Sequence, residues 1–185
     1  MVESRGPLPT LSDGVVTLRG WRPGDAQAVF EACQDPDIAR FIPIPQPYTF
    51  EDGAWFVTHA AEDSLAGPSA HFAIIDAGTG ALLGSISRHG PTGHRATVGY
   101  WLTREARGRG VATRAVRLIV DWTFATTDVI RLELYTDVAN ERSGRVATRA
   151  GFEPEGIRRA WDLDRNGRPV DAAFYVLIRD PNAGR

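Results

Sequence analysis

The chain has 185 residues, a formal net charge of −2, 43% hydrophobic residues and 24% charged residues. This length predicts one domain over residues 1–185, with a core from about residue 15 to 179 and flexible ends. The near-neutral charge argues against nucleic acid or an anionic membrane as partner, and no apolar run is long enough to span a bilayer. Because Cys33 is the only cysteine, we expect a cytoplasmic protein without disulfides.

All 21 basic residues are arginines, so the sequence contains no lysine. This absence excludes enzymes that form a Schiff base through a lysine, pyridoxal-phosphate enzymes among them. It also excludes a Walker A loop, which needs a lysine after its glycines.

The first quarter of the chain alternates short elements with irregular segments. Residues 1–13 predict a loose lead-in, and residues 15–19 predict a first strand. Asp25 is a good N-cap for a helix that ends near Cys33. The apolar positions of this helix share one face, and Cys33 lies on it, so a core position is favoured over a nucleophile.

Four prolines lie between Asp35 and Tyr48. They argue against a continuous helix and predict a stiff, extended loop. Such a loop is equally suited to line a substrate pocket and to pack on the core. Thr49 followed by Asp52 predicts a capped helix through residues 55–60, and residues 63–69 predict a loop.

Three strands joined by hairpins are predicted next, at residues 71–76, 82–89 and 95–102. His89 and His94 flank the second turn and raise the question of a metal site. No cysteine or acidic residue stands beside them, so exposed turn positions are favoured and no metal is expected.

The remaining elements are a helix from residue 111, a strand at 130–135, a helix that Gly151 ends, and a hairpin of residues 156–163 and 170–178. The strands before and after the central helix are expected to be parallel neighbours, because a helix joins them. The order predicts an α/β (α+β) fold with a mixed, mostly antiparallel sheet of about seven strands and about four helices.

The stretch Arg-Gly-Arg-Gly-Val-Ala at residues 107–112 connects a strand at 98–102 to an amphipathic helix. Gly108 and Gly110 allow unusual backbone angles and a close approach of a ligand to the main chain. The first N–H groups of the helix lack internal partners and lie at the positive end of its dipole. Such a turn suits a di- or polyphosphate better than it suits a mere tight connection. A dinucleotide-binding loop would need a glycine or alanine where Thr113 stands.

This loop, the strand before it, Asn140 with Ser143, Gly151-Phe152 and residues 171–175 together resemble the GCN5-related N-acetyltransferase (GNAT) family. The resemblance spans about residues 15–179, and it is strongest to the ribosomal-protein-alanine (RimJ/RimL-like) group. It implies the GNAT fold and transfer of an acetyl group from acetyl-CoA directly to a primary amine, without a metal. The residues for which it implies a role in binding coenzyme A are Trp101, Leu102, Arg107, Gly108, Arg109, Gly110, Val111, Ala112, Thr113 and Asn140.

The resemblance also implies catalytic roles. Ser143 matches the hydroxyl that protonates the leaving thiolate, although a serine at this place can equally be a helix cap. Tyr135 and Tyr175 are lesser candidates for that donor. Thr97 stands where the group often has a glutamate.

The general base is therefore unassigned, with Glu133, Asp171 and water as candidates. The acceptor is expected to be a protein N-terminal amine or a small amine, and the protein a monomer or homodimer. A larger acyl-CoA such as succinyl-CoA remains open, with Arg40 and Arg88 as possible partners of its carboxylate. Two other functions also remain open: a non-catalytic module that binds acyl-CoA and, less favoured, a dinucleotide-dependent oxidoreductase.

Overall fold

A computed structural model of the chain describes residues 7–180, in which one sheet of eight strands carries helices on both faces. The first six residues of the predicted lead-in and the last five residues of the chain lie outside the described part. The helices are α1 (Ala26–Ala32), α2 (Pro36–Phe41), α3 (Phe50–Ala66), α4 (Val111–Thr126) and α5 (Glu141–Arg149). The strands are β1 (Leu11–Ser12), β2 (Val16–Gly20), β3 (Ala70–Asp76), β4 (Leu82–Thr92), β5 (Arg95–Leu102), β6 (Arg131–Asp137), β7 (Glu153–Leu163) and β8 (Pro169–Ile178).

The strand order is β1-β2-β3-β4-β5-β6-β8-β7, and every neighbouring pair is antiparallel except β5 and β6. The predicted mixed sheet and the parallel pair around the central helix are confirmed. No helix within residues 7–180 is long and apolar enough to cross a bilayer.

Three predictions about the first third of the chain were wrong. Residues 11 and 12 of the expected lead-in form β1, because Leu11 pairs with Leu18 of β2. Pro36 begins helix α2 instead of preventing it, since a proline at the first helical position lacks only an N–H that would have no partner there. Helix α3 continues to residue 66, beyond the expected loop start at 63.

Local capping signals have the predicted positions with one change. Thr49 and Asp52 form the expected capping box at the start of α3. Gly151 follows α5 with φ of +100°, and the amide of Phe152 donates to the Ala147 carbonyl in a Schellman arrangement. Asp25 precedes α1, but its carboxylate accepts from the Arg22 amide and from a neighbouring arginine instead of capping that helix.

The sheet is buried on both faces, so adjacent residues of its central strands enter two separate cores. Phe72 and Ile74 of β3 pack with α4 and α5, whereas Ala73 and Ile75 pack with α1 and α3. Each fully buried large aliphatic or aromatic side chain contributes about 1.5–3 kcal/mol relative to an exposed one. These cores hold the sheet rigid next to the place where it opens.

The sheet opens between β5 and β6. The two strands pair only at three positions, Arg95 with Arg131, Ala96 with Leu132 and Thr97 with Glu133. Beyond them β5 continues to Leu102, while β6 continues along β8. The facing edges of the two strands therefore leave a gap that another extended chain can enter.

Candidate active site

The turn between β5 and α4 depends on its two glycines. Gly108 has φ of +74°, and Gly110, the N-cap of α4, has φ of +76°. A residue with a Cβ pays about 1–2 kcal/mol in this left-handed region. These angles turn the chain sharply enough to present the peptide groups of the loop and the first helical turn on one side.

Six consecutive amides in this turn have no acceptor in the described part of the protein. None of the N–H groups of residues 108–113 donates to a backbone or side-chain oxygen, and the first internal bond runs from Arg114 to the Gly110 carbonyl at 3.1 Å. These donors lie at the positive end of the α4 dipole, an arrangement that favours the binding of an anion such as a polyphosphate.

A cleft of about 580 Å³ extends from these amides along the end of β5. Its walls come from the loop and α4 on one side, the start of α5 on another, and residues of α2 on the third. Of the residues predicted to bind coenzyme A or to catalyse, all but Arg109 line it. The predicted residues in the cleft are Trp101, Leu102, Arg107, Gly108, Gly110, Val111, Ala112, Thr113, Asn140 and Ser143.

The two loop arginines have different surroundings. Arg107 places Nη2 at 2.8 Å from Asp35 Oδ2 and Nη1 at 3.1 Å from Asp37 Oδ2, and it also donates to the Leu102 carbonyl. Its guanidinium therefore ties the loop to α2. Arg109 is more than half exposed, lies 3.8 Å from Asp76, and is not among the residues that line the cleft.

The N–H and carbonyl groups at the end of β5 face in different directions, some toward β4 and some toward the gap. The Trp101 carbonyl faces β4, because a Cβ on Gly84 would lie 2.1 Å from its oxygen, and the Thr103 amide donates to Leu83 of β4. By the alternation of an antiparallel strand, the Leu102 peptide groups face the gap. The Leu102 carbonyl already accepts a hydrogen bond from Arg107, so of these two peptide groups the N–H is the one available to a ligand.

Ser143 is not the cap of α5, so the capping alternative for its hydroxyl is wrong. The N-cap is Asn140, whose Oδ1 accepts from the Ser143 amide at 3.3 Å. The Ser143 hydroxyl instead accepts a hydrogen bond from Tyr100 at 3.1 Å. Burial raises the pKa of Tyr100, against the opposing effect of this bond. Tyr100 therefore stays protonated, and Ser143 keeps its own proton free for donation into the cleft.

Three further arginines line the cleft and were not among the predicted site residues. Arg142, Arg145 and Arg149 extend from α5. Their spacing of three and four places them on one side of the helix, and this periodicity is the signal that could have identified them. They add positive charge along the wall that adjoins the predicted phosphate site.

Neither arginine considered for a larger acyl group lies in the cleft. Arg88 is fully buried under α4 and away from the cleft, with its guanidinium over the ring of Trp122 and a bond to the Pro68 carbonyl. Arg40 is exposed and lies over the ring of Phe41. The expectation that these residues hold an acyl carboxylate was wrong for Arg88, and nothing in the position of Arg40 supports it.

The lesser candidates for proton transfer have other partners. Tyr135 stacks on a phenylalanine of β8, and the Tyr175 hydroxyl lies against Gly144, where a Cβ would be 2.4 Å away. Glu133 is bonded to Arg131 at 2.6 Å, and Asp171 accepts from the Ala160 amide at 2.9 Å.

The histidines and the cysteine complete the set of candidates. His94 is an exposed turn residue as predicted, but His89 lies inside β4, where its ring contacts that of His71. Within residues 7–180, no three histidine, cysteine or acidic side chains are arranged to hold a metal ion. Cys33 is buried in the core, and burial raises the pKa of its thiol to about 11, so a core role is confirmed.

Comparison with known proteins adds to this geometry. A family model described as "Acetyltransferase (GNAT) domain" matches residues 16–153. A Bacillus licheniformis protein named "Uncharacterized N-acetyltransferase p20" is 27% identical over 180 residues, covering 96% of this chain and all of the relative. The ribosomal-protein-serine acetyltransferase of Escherichia coli K12 is 32% identical over 101 residues, 54% of this chain and 56% of the relative.

Solved structures share the fold. The ribosomal L7/L12 α-N-protein acetyltransferase RimL, solved in complex with coenzyme A, superposes with a TM-score of 0.83 at 21% identity, covering 93% of this chain and 99% of that one. The ribosomal-protein-S5-alanine acetyltransferase of Vibrio fischeri superposes with a TM-score of 0.81 at 22% identity, covering 94% and 98%. With the open strand pair, the glycine turn and a family model that matches three quarters of its length, this chain belongs to the GNAT acetyltransferase family.

Proposed function

We propose that the protein transfers the acetyl group of acetyl-CoA to the α-amine of a protein or peptide N-terminus. The observation that carries this proposal is the run of six unpartnered amides at residues 108–113 at the head of a cleft that leads to Ser143. The amides fit the pyrophosphate of coenzyme A, and the arginines of α5 lie beside them. The free N–H of Leu102 and the Asn140 side-chain amide then lie along the path of the pantetheine arm.

The chemistry needs only positioning and proton transfer. The acceptor nitrogen attacks the thioester carbonyl carbon, the C–S bond breaks, and the sulfur takes a proton. We assign this proton to Ser143, and the support is that its hydroxyl accepts from Tyr100 and therefore donates in another direction. An α-amine has a pKa of about 7.7–8.0, so a modest base suffices to release its lone pair.

The acid content of the cleft favours an acceptor with a single positive charge. Within residues 7–180, Asp37 is the only acidic residue that lines it, and Arg107 already neutralises that carboxylate. A polyamine, which needs several carboxylates, is therefore disfavoured. A relative named spermidine N(1)-acetyltransferase from Escherichia coli K12 matches over 30% of this chain, so small amines remain the second candidate.

The acceptor side is closed by a contact between distant segments. Arg165, at the tip of the β7–β8 hairpin, donates to the carbonyls of Ala39, Ile42 and Ile44. This contact fixes the proline-rich segment after α2, with Phe41 and Ile42 lining the cleft. The segment thus forms the wall against which the residues of a peptide acceptor would lie.

The test measures release of free thiol from acetyl-CoA with peptides that carry free or blocked N-termini, spermidine and an aminoglycoside. We expect turnover with free peptide N-termini, none with blocked ones, and less with succinyl-CoA as donor. Ser143→Ala should lower kcat by about 100-fold with unchanged acetyl-CoA affinity in calorimetry. Thr148→Ala, on the same helix with its hydroxyl bonded to the Gly144 carbonyl, is the control and should stay within about twofold of wild type.

Two results would overturn the proposal. Absence of thiol release with every amine, despite tight acetyl-CoA binding, would support a non-catalytic binding module. Protection against thermal unfolding by NAD and not by coenzyme A would support an oxidoreductase instead.

A further inference from the structure

A row of three residues crosses the sheet where β5 and β6 separate. His89 of β4 is opposite Thr97 of β5, and Thr97 is opposite Glu133 of β6. Directly opposed residues project from the same face of a sheet. Position 97, which carries no carboxylate in this chain, is thus flanked on that face by an imidazole and by a carboxylate.

The carboxylate of this row is engaged elsewhere. Glu133 accepts from Arg131 at 2.6 Å, and the same guanidinium binds Glu155 from β7. The side chain of Glu133 is only 16% exposed. This leaves His89 as the titratable group of the row with no hydrogen-bond partner among the described residues.

The ring of His89 extends from β4 over Gly99 of the neighbouring strand β5. If Gly99 carried a Cβ, this atom would lie 3.8 Å from Nε2 of His89. Gly99 is two residues beyond the last β5–β6 pair, so the nitrogen lies over the face of β5 at the point where the sheet opens. His89 is also exposed to solvent, so an incoming amine can reach it.

A second histidine supports this ring. The rings of His71 and His89 meet edge to face with centroids 5.4 Å apart. His71 is held at both nitrogens, at 2.7 Å from Asp63 Oδ2 on α3 and at 2.8 Å from Ser87 Oγ on β4. Because both bonds fix the orientation of His71, it forms a rigid wall behind His89.

We propose that His89 is the general base that accepts a proton from the acceptor ammonium, directly or through one water, with His71 as a positioning residue. This inference rests on the proposed acetyltransferase function. One ammonium proton passes to His89 and on to solvent, the nitrogen bonds to the carbonyl carbon, and the C–S bond breaks. The second nitrogen proton leaves as the amide forms and balances the proton that the thiolate sulfur receives from Ser143.

The surroundings keep this base in its active form near neutral pH. The part of the ring that packs against His71 and Gly99 loses hydration, which lowers the pKa of His89 although the side chain is exposed elsewhere; the neighbouring His71 lowers the pKa further, and Asp63 opposes both effects to a smaller extent. The facing residues of β5, Thr97 and Gly99, are uncharged. With a pKa below the ordinary value of about 6.5, the imidazole is neutral at pH 7 and loses this form only as the pH falls through its pKa.

The experiment compares pH profiles of kcat/KM for two peptide acceptors whose α-amines differ in pKa. In wild type we expect kcat/KM to fall toward acidic pH in two limbs. The midpoint of the first limb shifts with the pKa of the acceptor amine, and the midpoint of the second, at lower pH, is the same for both peptides. His89→Gln should remove the second limb and lower kcat by about 100-fold or more, with acetyl-CoA affinity unchanged. His94→Gln, in the exposed turn after β4, is the matched control and should keep wild-type activity. Imidazole added to His89→Ala should restore part of kcat.

The outcomes separate this inference from the function on which it rests. If wild type turns over but His89→Gln stays within twofold of it, the base is another group and the acetyltransferase assignment stands. If the wild-type profile lacks the limb whose midpoint is the same for both acceptors, the base is likewise another group. This result does not depend on whether the variants fold. If wild type transfers no acetyl group to any amine, the function and this inference fail together.

Discussion

Replacement of Arg107 by methionine tests whether this residue of the phosphate loop holds the protein together or binds the ligand. Its guanidinium lies 2.8 Å from Asp35, whose side chain is only 9% exposed, and 3.1 Å from Asp37. Arg107→Met keeps most of the side-chain volume but leaves the Asp35 carboxylate with only the exposed Arg104, 3.8 Å away, as a cation. The variant should therefore destabilise the ligand-free protein.

The magnitude follows from burial. Removal of one partner from a buried ion pair costs about 3–5 kcal/mol, and exposed pairs contribute about 0–1 kcal/mol. The Arg107 side chain is 23% exposed, so the pair lies between these limits, and we expect a loss of about 2–3 kcal/mol in the free energy of unfolding. For a protein of this size, this corresponds to a decrease in Tm of roughly 4–12 °C.

Urea denaturation without ligand measures the loss, and calorimetry measures acetyl-CoA affinity. Arg104→Met is the matched control, because Arg104 faces the same Asp35 oxygen at 3.8 Å but is 72% exposed, and it should change stability by less than about 0.5 kcal/mol. Adding Asp35→Asn to Arg107→Met should recover part of the loss, since a neutral amide is less costly to leave unpaired. Unchanged stability with acetyl-CoA affinity reduced more than tenfold would refute the reasoning and make Arg107 a phosphate ligand.

Two further predictions concern residues near and far from the cleft. Asn140→Ala removes the N-cap of α5 and should lower the free energy of unfolding by about 1 kcal/mol in urea denaturation, whereas Asn140→Asp should retain most of it. Cys33 should resist thiol reagents at pH 8 in the folded protein, because burial raises its pKa to about 11 and leaves it 3% exposed. Reaction at the rate of the urea-unfolded chain, followed by absorbance, would show that its surroundings open in the native state.

Much of the fold could be predicted because its signals act within a few residues. The capping box of Thr49 and Asp52 joins residues three apart, and the turn at Gly151 needs only a residue that accepts a positive φ. The hairpins and the central helix follow from alternation and periodicity in the same way. Residues 36–41 were mispredicted because four prolines outweighed a local helix start, in which Asp35 accepts from the Asp37 amide at 3.0 Å.

The sequence by itself determined the order of the elements apart from β1 and α2, as well as the glycine turn and its exposed donors, since these depend on backbone angles and on hydrogen bonds between near neighbours. Only the tertiary structure decided which side chains are available for chemistry. The Tyr100–Ser143 bond joins residues 43 apart, and the contact of Arg107 with Asp37 joins residues 70 apart. The position of His89 over Gly99 depends on the register of two strands. Such contacts arise when separate elements pack, and no local pattern encodes the distance between their side chains.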